Sequence, residues 1–106
     1  MKRERAMREH RIGKVTHYYK KIGVAAIDLE EPLKVGDQIH VAGHTTDLEQ
    51  PVGSLEIDHR RVLKALPGDV AAVKVFGRVR PGDTVLLEEG ADEESAIEEE
   101  FADIAW

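Results

Sequence analysis

Apolar and polar residues alternate along most of this chain with a period of two, the pattern of strands that bury one face. Ile39 and Val41 fall on one side of such a stretch and His40 on the other. Leu55 and Ile57 repeat the arrangement against Glu56 and Asp58, and Ala71, Val73 and Val75 form an inward set that leaves Lys74 outside. The pattern predicts strands at 11–18, 22–29, 37–42, 49–59, 61–65, 69–76 and 83–88. Three of them follow the same punctuation: Val35-Gly36-Asp37, Pro67-Gly68-Asp69 and Pro81-Gly82-Asp83. A type II turn suits the two Pro-Gly pairs, because proline presets the first central φ and glycine accepts the positive φ that comes next. Short strands at this spacing predict an all-β fold, an antiparallel sandwich or a small barrel of six to seven strands, in place of parallel βαβ units.

The pattern changes after Glu88. Residues 90–94 read as an acidic linker. Ser95 and Glu98 then have capping-box spacing, and Ile97, Phe101 and Ile104 recur at helical intervals, so a short amphipathic helix is expected over 96–105. The expected organisation is a basic N-terminal arm at 1–10, a β-barrel domain at 11–88 and an acidic tail at 89–106.

Composition narrows the class. The chain has 106 residues, which favours one domain with one core. It has no cysteine, so disulfides and thiolate metal sites are excluded. No apolar run reaches membrane-spanning length, and the start lacks the apolar stretch of a secretory signal, so no membrane association and a cytoplasmic location are expected. The net charge of −6 is unevenly spread. Residues 1–21 carry eight Lys/Arg against Glu4 and Glu9, whereas residues 88–106 carry nine acids and no base. Two oppositely charged ends on a nearly balanced body suggest two interaction surfaces.

The run from Leu33 to Gly43, with Val35-Gly36-Asp37 at its centre, resembles a segment of domain two of elongation factor Tu and related translation GTPases. So does the run from Val52 to His59, followed by Ala65-Leu66-Pro67-Gly68-Asp69 and Gly82-Asp83. The resemblance spans 11–88 and is nearest to stand-alone translation elongation factor-like proteins. The chain also looks like the barrel attached to some collagenase-like peptidases. The first resemblance implies a barrel of the translation-protein type and an association with RNA, tRNA or the ribosome. It does not imply GTP binding, since a Gly-x-x-x-x-Gly-Lys-Ser/Thr loop is missing, and no cofactor is expected. The hairpin His17–Gly23 departs from the glycine-rich hairpin usual in those GTPases.

His40 and His44 have a helical ligand spacing, but on a continuing strand they stand about 13 Å apart. Adding Asp47 or His59 has no motive in the pattern, so no metal site is expected. His59 beside Asp58 does not make a base with its orienting acid if both lie on one strand, and no nucleophile motif accompanies them. The chain is therefore not expected to be an enzyme.

Binding is the better expectation. Of Tyr18 and Tyr19, one is expected to plug the core and the other to face solvent, where it stacks on a base while Lys20 and Lys21 take phosphates. Arg60, Arg61 and Lys64 form a second basic cluster. With Arg5, Arg8, Arg11 and Lys14 these make up the expected nucleic-acid surface. The alternative function is a protein-interaction adaptor that uses the barrel surface or the tail. In the tail, Ile97, Phe101, Ile104 and Trp106 are the expected partner-binding residues.

Overall fold

The structure, a computed structural model, describes residues 8–89, with the backbone alone of Arg8. The acidic tail, its expected helix and most of the basic arm lie outside the described residues. Ten strands follow in chain order: β1 (Arg8–Tyr19), β2 (Val24–Leu29), β3 (Leu33–Lys34), β4 (Gln38–Ala42), β5 (Asp47–Pro51), β6 (Leu55–Ile57), β7 (Arg60–Val62), β8 (Lys64–Ala65), β9 (Val70–Lys74) and β10 (Thr84–Glu89). The domain is all-β, as the alternation requires, and every strand pair is antiparallel. Among the described residues, no helix is long and apolar enough to cross a membrane.

Eight strands make one sheet in the order β5-β4-β10-β1-β2-β9-β6-β7, and β3 pairs with β8 separately. The ladder has two ends, so backbone pairing does not close it into the expected barrel. A side chain joins it instead. Gln50 on β5, 1% exposed, donates from Nε2 to the Lys74 carbonyl at the end of β9 (2.9 Å) and accepts from the Phe76 N–H (2.7 Å). Around this seam the inward residues of both halves share one aliphatic core that includes Ile12, Ile27, Leu33, Ile39, Leu55, Val73 and Val85. The inward sets read from the alternation are in place: Ile39 with Val41, and Ala71, Val73 and Val75, are all buried, whereas Lys74 is exposed.

The three Gly-Asp turns are one device used three times. Gly36, Gly68 and Gly82 have φ of 98°, 93° and 95°. In each turn the aspartate N–H donates to the carbonyl three residues earlier: Asp37 to Lys34 (3.1 Å), Asp69 to Leu66 (3.0 Å) and Asp83 to Arg80 (3.0 Å). The aspartate carboxylate then accepts from the N–H of that same residue, at 2.9, 2.8 and 2.8 Å. Both backbone groups of the first turn residue are satisfied by one aspartate.

Two expected strands are broken. The stretch 49–59 splits because Val52 leaves the ladder. Its N–H donates to the Asp37 carbonyl (2.8 Å) and its carbonyl accepts from Gly36 (2.9 Å), while Pro51 before it has no N–H to donate. Asp58 and His59 are not strand residues. With φ of 52° and 66° they form the two-residue tip of the β6–β7 hairpin, the geometry of a type I′ turn. The stretch 61–65 divides at Leu63, where the chain changes partner from β6 to β3.

β1 runs through the middle and is long for a strand, with 12 residues. Register shifts between Arg11 and Gly13 against β10, and between Val15 and His17 against β2, re-phase it. That is why Ile12 and Val15, three apart, both point inward.

Candidate functional site

The outward face of the sheet carries two different surfaces. One lies on β5, β4, β10 and the start of β1. Cross-strand pairing places Glu9 directly opposite Glu88 and His40 directly opposite Glu49. Gln38 stands opposite Glu88, and it shares the outward face of β4 with His40 two residues along, so the two pairs meet diagonally. One ligand atom from each of Glu9, His40, Glu49 and Glu88 lies within 4.8 Å of the others. His40 is held on both ring nitrogens: Nδ1 is 2.7 Å from Glu9 Oε2, and Nε2 is 2.6 Å from Asp47 Oδ1.

The electrostatics of this cluster are unusual. Burial and then the charge of Glu49 hold the Glu88 carboxyl far above the ordinary carboxylate range, pushed up to about 7. For His40, burial alone acts to lower the pKa. The hydrogen bonds to Asp47 and Glu9, with their negative charges, outweigh it and raise the imidazole above its ordinary value.

The other surface is a trough of about 610 Å³ across β2, β9, β6 and the end of β1. Its floor follows from the register, because Ala26 lies directly opposite Ala72 and neither has more than a methyl group to project. Tyr19, Ile22, Val24 and Val70 supply apolar walls, and Glu56, Arg61 and Lys74 supply charges of both signs. Tyr19 is 47% exposed and Ile22 61%, which makes this a wide apolar opening on a small domain.

The residues expected to bind nucleic acid that the structure describes are spread over several elements. Arg5 lies outside the described residues, as does the side chain of Arg8. Arg11 is paired with Glu30 at 3.0 Å, and Lys14 is exposed on β1. Lys20 and Lys21 sit at the tip of the β1–β2 hairpin, and Arg60 is exposed on β7. Tyr18 packs on the core while Tyr19 faces out, stacked on His17 with ring centroids 4.9 Å apart. The structure brings Tyr19 and Arg61 together in the trough, whose lining also includes Glu56 and Asp58. Lys64 lines a separate depression with His10 and Lys34. Interleaved carboxylates make a poor path for a phosphate backbone. The partner-binding residues Ile97, Phe101, Ile104 and Trp106 lie outside the described residues.

Sequence reasoning missed the histidine–carboxylate cluster. His40 groups not with His44 or His59 but with Glu49 across its own hairpin and with Glu9 and Glu88, both distant along the chain. The signal available was the outward parity of His40 and Glu88, but assembling the group needs the strand order and the register.

No protein-family model matches the chain. Over 81 residues it is 43% identical to an uncharacterized protease of Methanocaldococcus jannaschii, covering 76% of this chain and 20% of that protein. It is 34% identical over 74 residues to a collagenase of Porphyromonas gingivalis, covering 68% of this chain and 20% of the collagenase. The chain thus spans about a fifth of the length of these curated relatives. Two crystal structures of the C-terminal domain of a putative U32 peptidase from Geobacillus thermoleovorans share the fold. Their TM-scores are 0.70 and 0.68, with 18% identity; they cover 74% and 72% of this chain, which covers 91% and 96% of them.

These findings correct the resemblance to stand-alone translation elongation factor-like proteins, and with it the expected RNA, tRNA or ribosome-associated role. The relatives carry protease and collagenase names, and the shared fold is that of a U32 peptidase C-terminal domain. The Gly-Asp turns misdirected the comparison because they report backbone geometry, which unrelated functions share.

Proposed function

We propose that this chain is a non-catalytic β-domain of the kind carried by U32-type peptidases, and that it holds an extended polypeptide in the Tyr19–Val70 trough. The observation that carries this reading is the trough itself, an apolar channel floored by two opposed alanines and flanked by charges of both signs. Such a channel suits a peptide, whose side chains are apolar and whose flanks carry mixed charge. The likeness to a peptidase C-terminal domain supports the polypeptide class, and so does the collagenase name of a relative. The small share of each protease that is matched supports an accessory role, with the bond-breaking chemistry held elsewhere in the relatives.

Titration of the isotope-labelled chain with a gelatin-derived peptide tests it. Amide shifts concentrated at Tyr19, Val70 and Ala72 are expected, with at least tenfold weaker binding for Ile22→Asp. Shifts elsewhere on the domain would remove the trough from the proposal, and cleavage of the peptide by the chain alone would remove the non-catalytic assignment.

A further inference from the structure

We propose that Glu9, His40, Glu49 and Glu88 form a binding site for one divalent transition-metal ion of the zinc or manganese type. This inference is independent of the trough.

The first observation is convergence. Three carboxylates and one imidazole, from four adjacent strands, bring ligand atoms within 4.8 Å of one another. Tetrahedral zinc with bonds of about 2.1 Å sets its ligand atoms about 3.4 Å apart, so the group has to draw in by up to about 1.4 Å at its widest. Side-chain rotation on rigid strands supplies that movement, because the ladder fixes only the Cα positions.

The second observation is Glu88. It is only 8% exposed, and the groups that reach its carboxyl are themselves carboxylates, those of Glu9 and Glu49. A buried carboxylate is normally held by N–H or O–H donors. Here it is aimed at like charges, and Glu9 lies directly across the ladder from it, an arrangement that destabilises a sheet unless something positive sits between. A proton can fill that place for one carboxylate, and a dication would neutralise two.

The third is the orientation of His40. Its Nε2 faces Asp47 at 2.6 Å, a partner that can accept the Nε2–H and so turn Nδ1 toward the glutamates. That carboxylate–histidine–metal relay is how metal-bound imidazoles are held and made more basic. Nδ1 stands 2.7 Å from Glu9 Oε2, a contact that needs a proton on the nitrogen, and an ion bound there would take that proton's place. Mixed imidazole and carboxylate ligation selects borderline ions over calcium or magnesium.

The test is calorimetric titration of the chain, prepared without a histidine tag, with Zn2+, Mn2+ and, for contrast, Ca2+. One equivalent of Zn2+ or Mn2+ per chain is expected, with at least tenfold weaker Ca2+ binding. The long-range 15N spectrum is expected to show His40 Nδ1 as the metallated nitrogen. Glu88→Gln removes a like charge, so the metal-free variant is expected to melt no lower than the parent while Zn2+ binding drops at least tenfold. His40→Gln gives the same loss from the imidazole side, and Asp47→Asn, a positioning change, weakens binding about tenfold. Absence of Zn2+ and Mn2+ binding would overturn the proposal and leave the cluster as carboxylates sharing a proton. Binding that survives both Glu88→Gln and His40→Gln, or that shifts His44 or His59 instead, would overturn it equally.

Discussion

The two halves of the sheet obey the same backbone rules and carry opposite outward chemistry. On the β2–β9 side, alanine faces alanine across the ladder, which costs nothing and leaves a trough. On the β1–β10 side, glutamate faces glutamate, which costs stability and is tolerated only with compensation. Inward residues must alternate to fill the core, so they say little beyond fold. Outward residues are free of that demand, and a costly pairing there marks a place where something other than folding has shaped the sequence. A cheap pairing that creates space carries the same message more quietly.

The comparison can be broken first at β1, which belongs to both halves. Gly13 pairs with Val85 on one side and Leu29 on the other. A Cβ there would press on the backbone carbonyl of Asp28, a group that cannot swing away. Gly13→Ala is expected to cost about 3 kcal/mol and to disturb both halves together, read by denaturant unfolding and by amide spectra. A variant that perturbed one half alone would show that β1 does not couple them.

Next comes the seam. Replacing Gln50 with leucine keeps the volume roughly constant but leaves the Phe76 N–H and the Lys74 carbonyl without that amide. A loss of about 2 kcal/mol is expected, less than for two fully buried orphans because Phe76 is exposed. Equal stability of variant and parent would mean that the halves hold together through the core alone.

The smallest effect sharpens the contrast by pH. Burial and the charge of Glu49 push the folded Glu88 carboxyl up to about 7 from an ordinary 4.5, so the native state binds the extra proton. Stability from this source is present in acid and is lost as pH rises from about 4.5 through 7. His40 acts in the same direction. Its raised folded value gives stability that is full below about 6.5 and is lost as pH climbs through that raised value. Shared among coupled carboxylates, the slope is expected to amount to about 1–2 kcal/mol over this window. The parent-minus-Glu88→Gln difference in thermal unfolding isolates it. A flat difference would show that the cluster is not coupled as its geometry requires.

What could be read in the sequence is what local chemistry dictates. The positive φ at Gly36, Gly68 and Gly82 follows from their triplets, and the inward sets at 39/41 and 71/73/75 follow from parity. The split of 49–59 could not be read, because the partner that draws Val52 away is the turn at Asp37, distant in sequence. The hairpin tip was hidden because Asp58-His59 lacks the glycine that usually announces a type I′ turn. Of the cluster, the chain shows four ordinary residues at 9, 40, 49 and 88, and only strand order makes them neighbours.

The Gln50 bridge also sets a clock. Strand N–H groups exchange with solvent hydrogen when their ladder opens, but the Phe76 N–H is bonded to a side-chain oxygen on another strand. Its exchange rate therefore counts swings of one amide group, while neighbouring amides such as Val75, bonded to the Gly23 carbonyl, count openings of the sheet. The ratio of the two rates measures how often the seam parts while the rest of the domain stays folded.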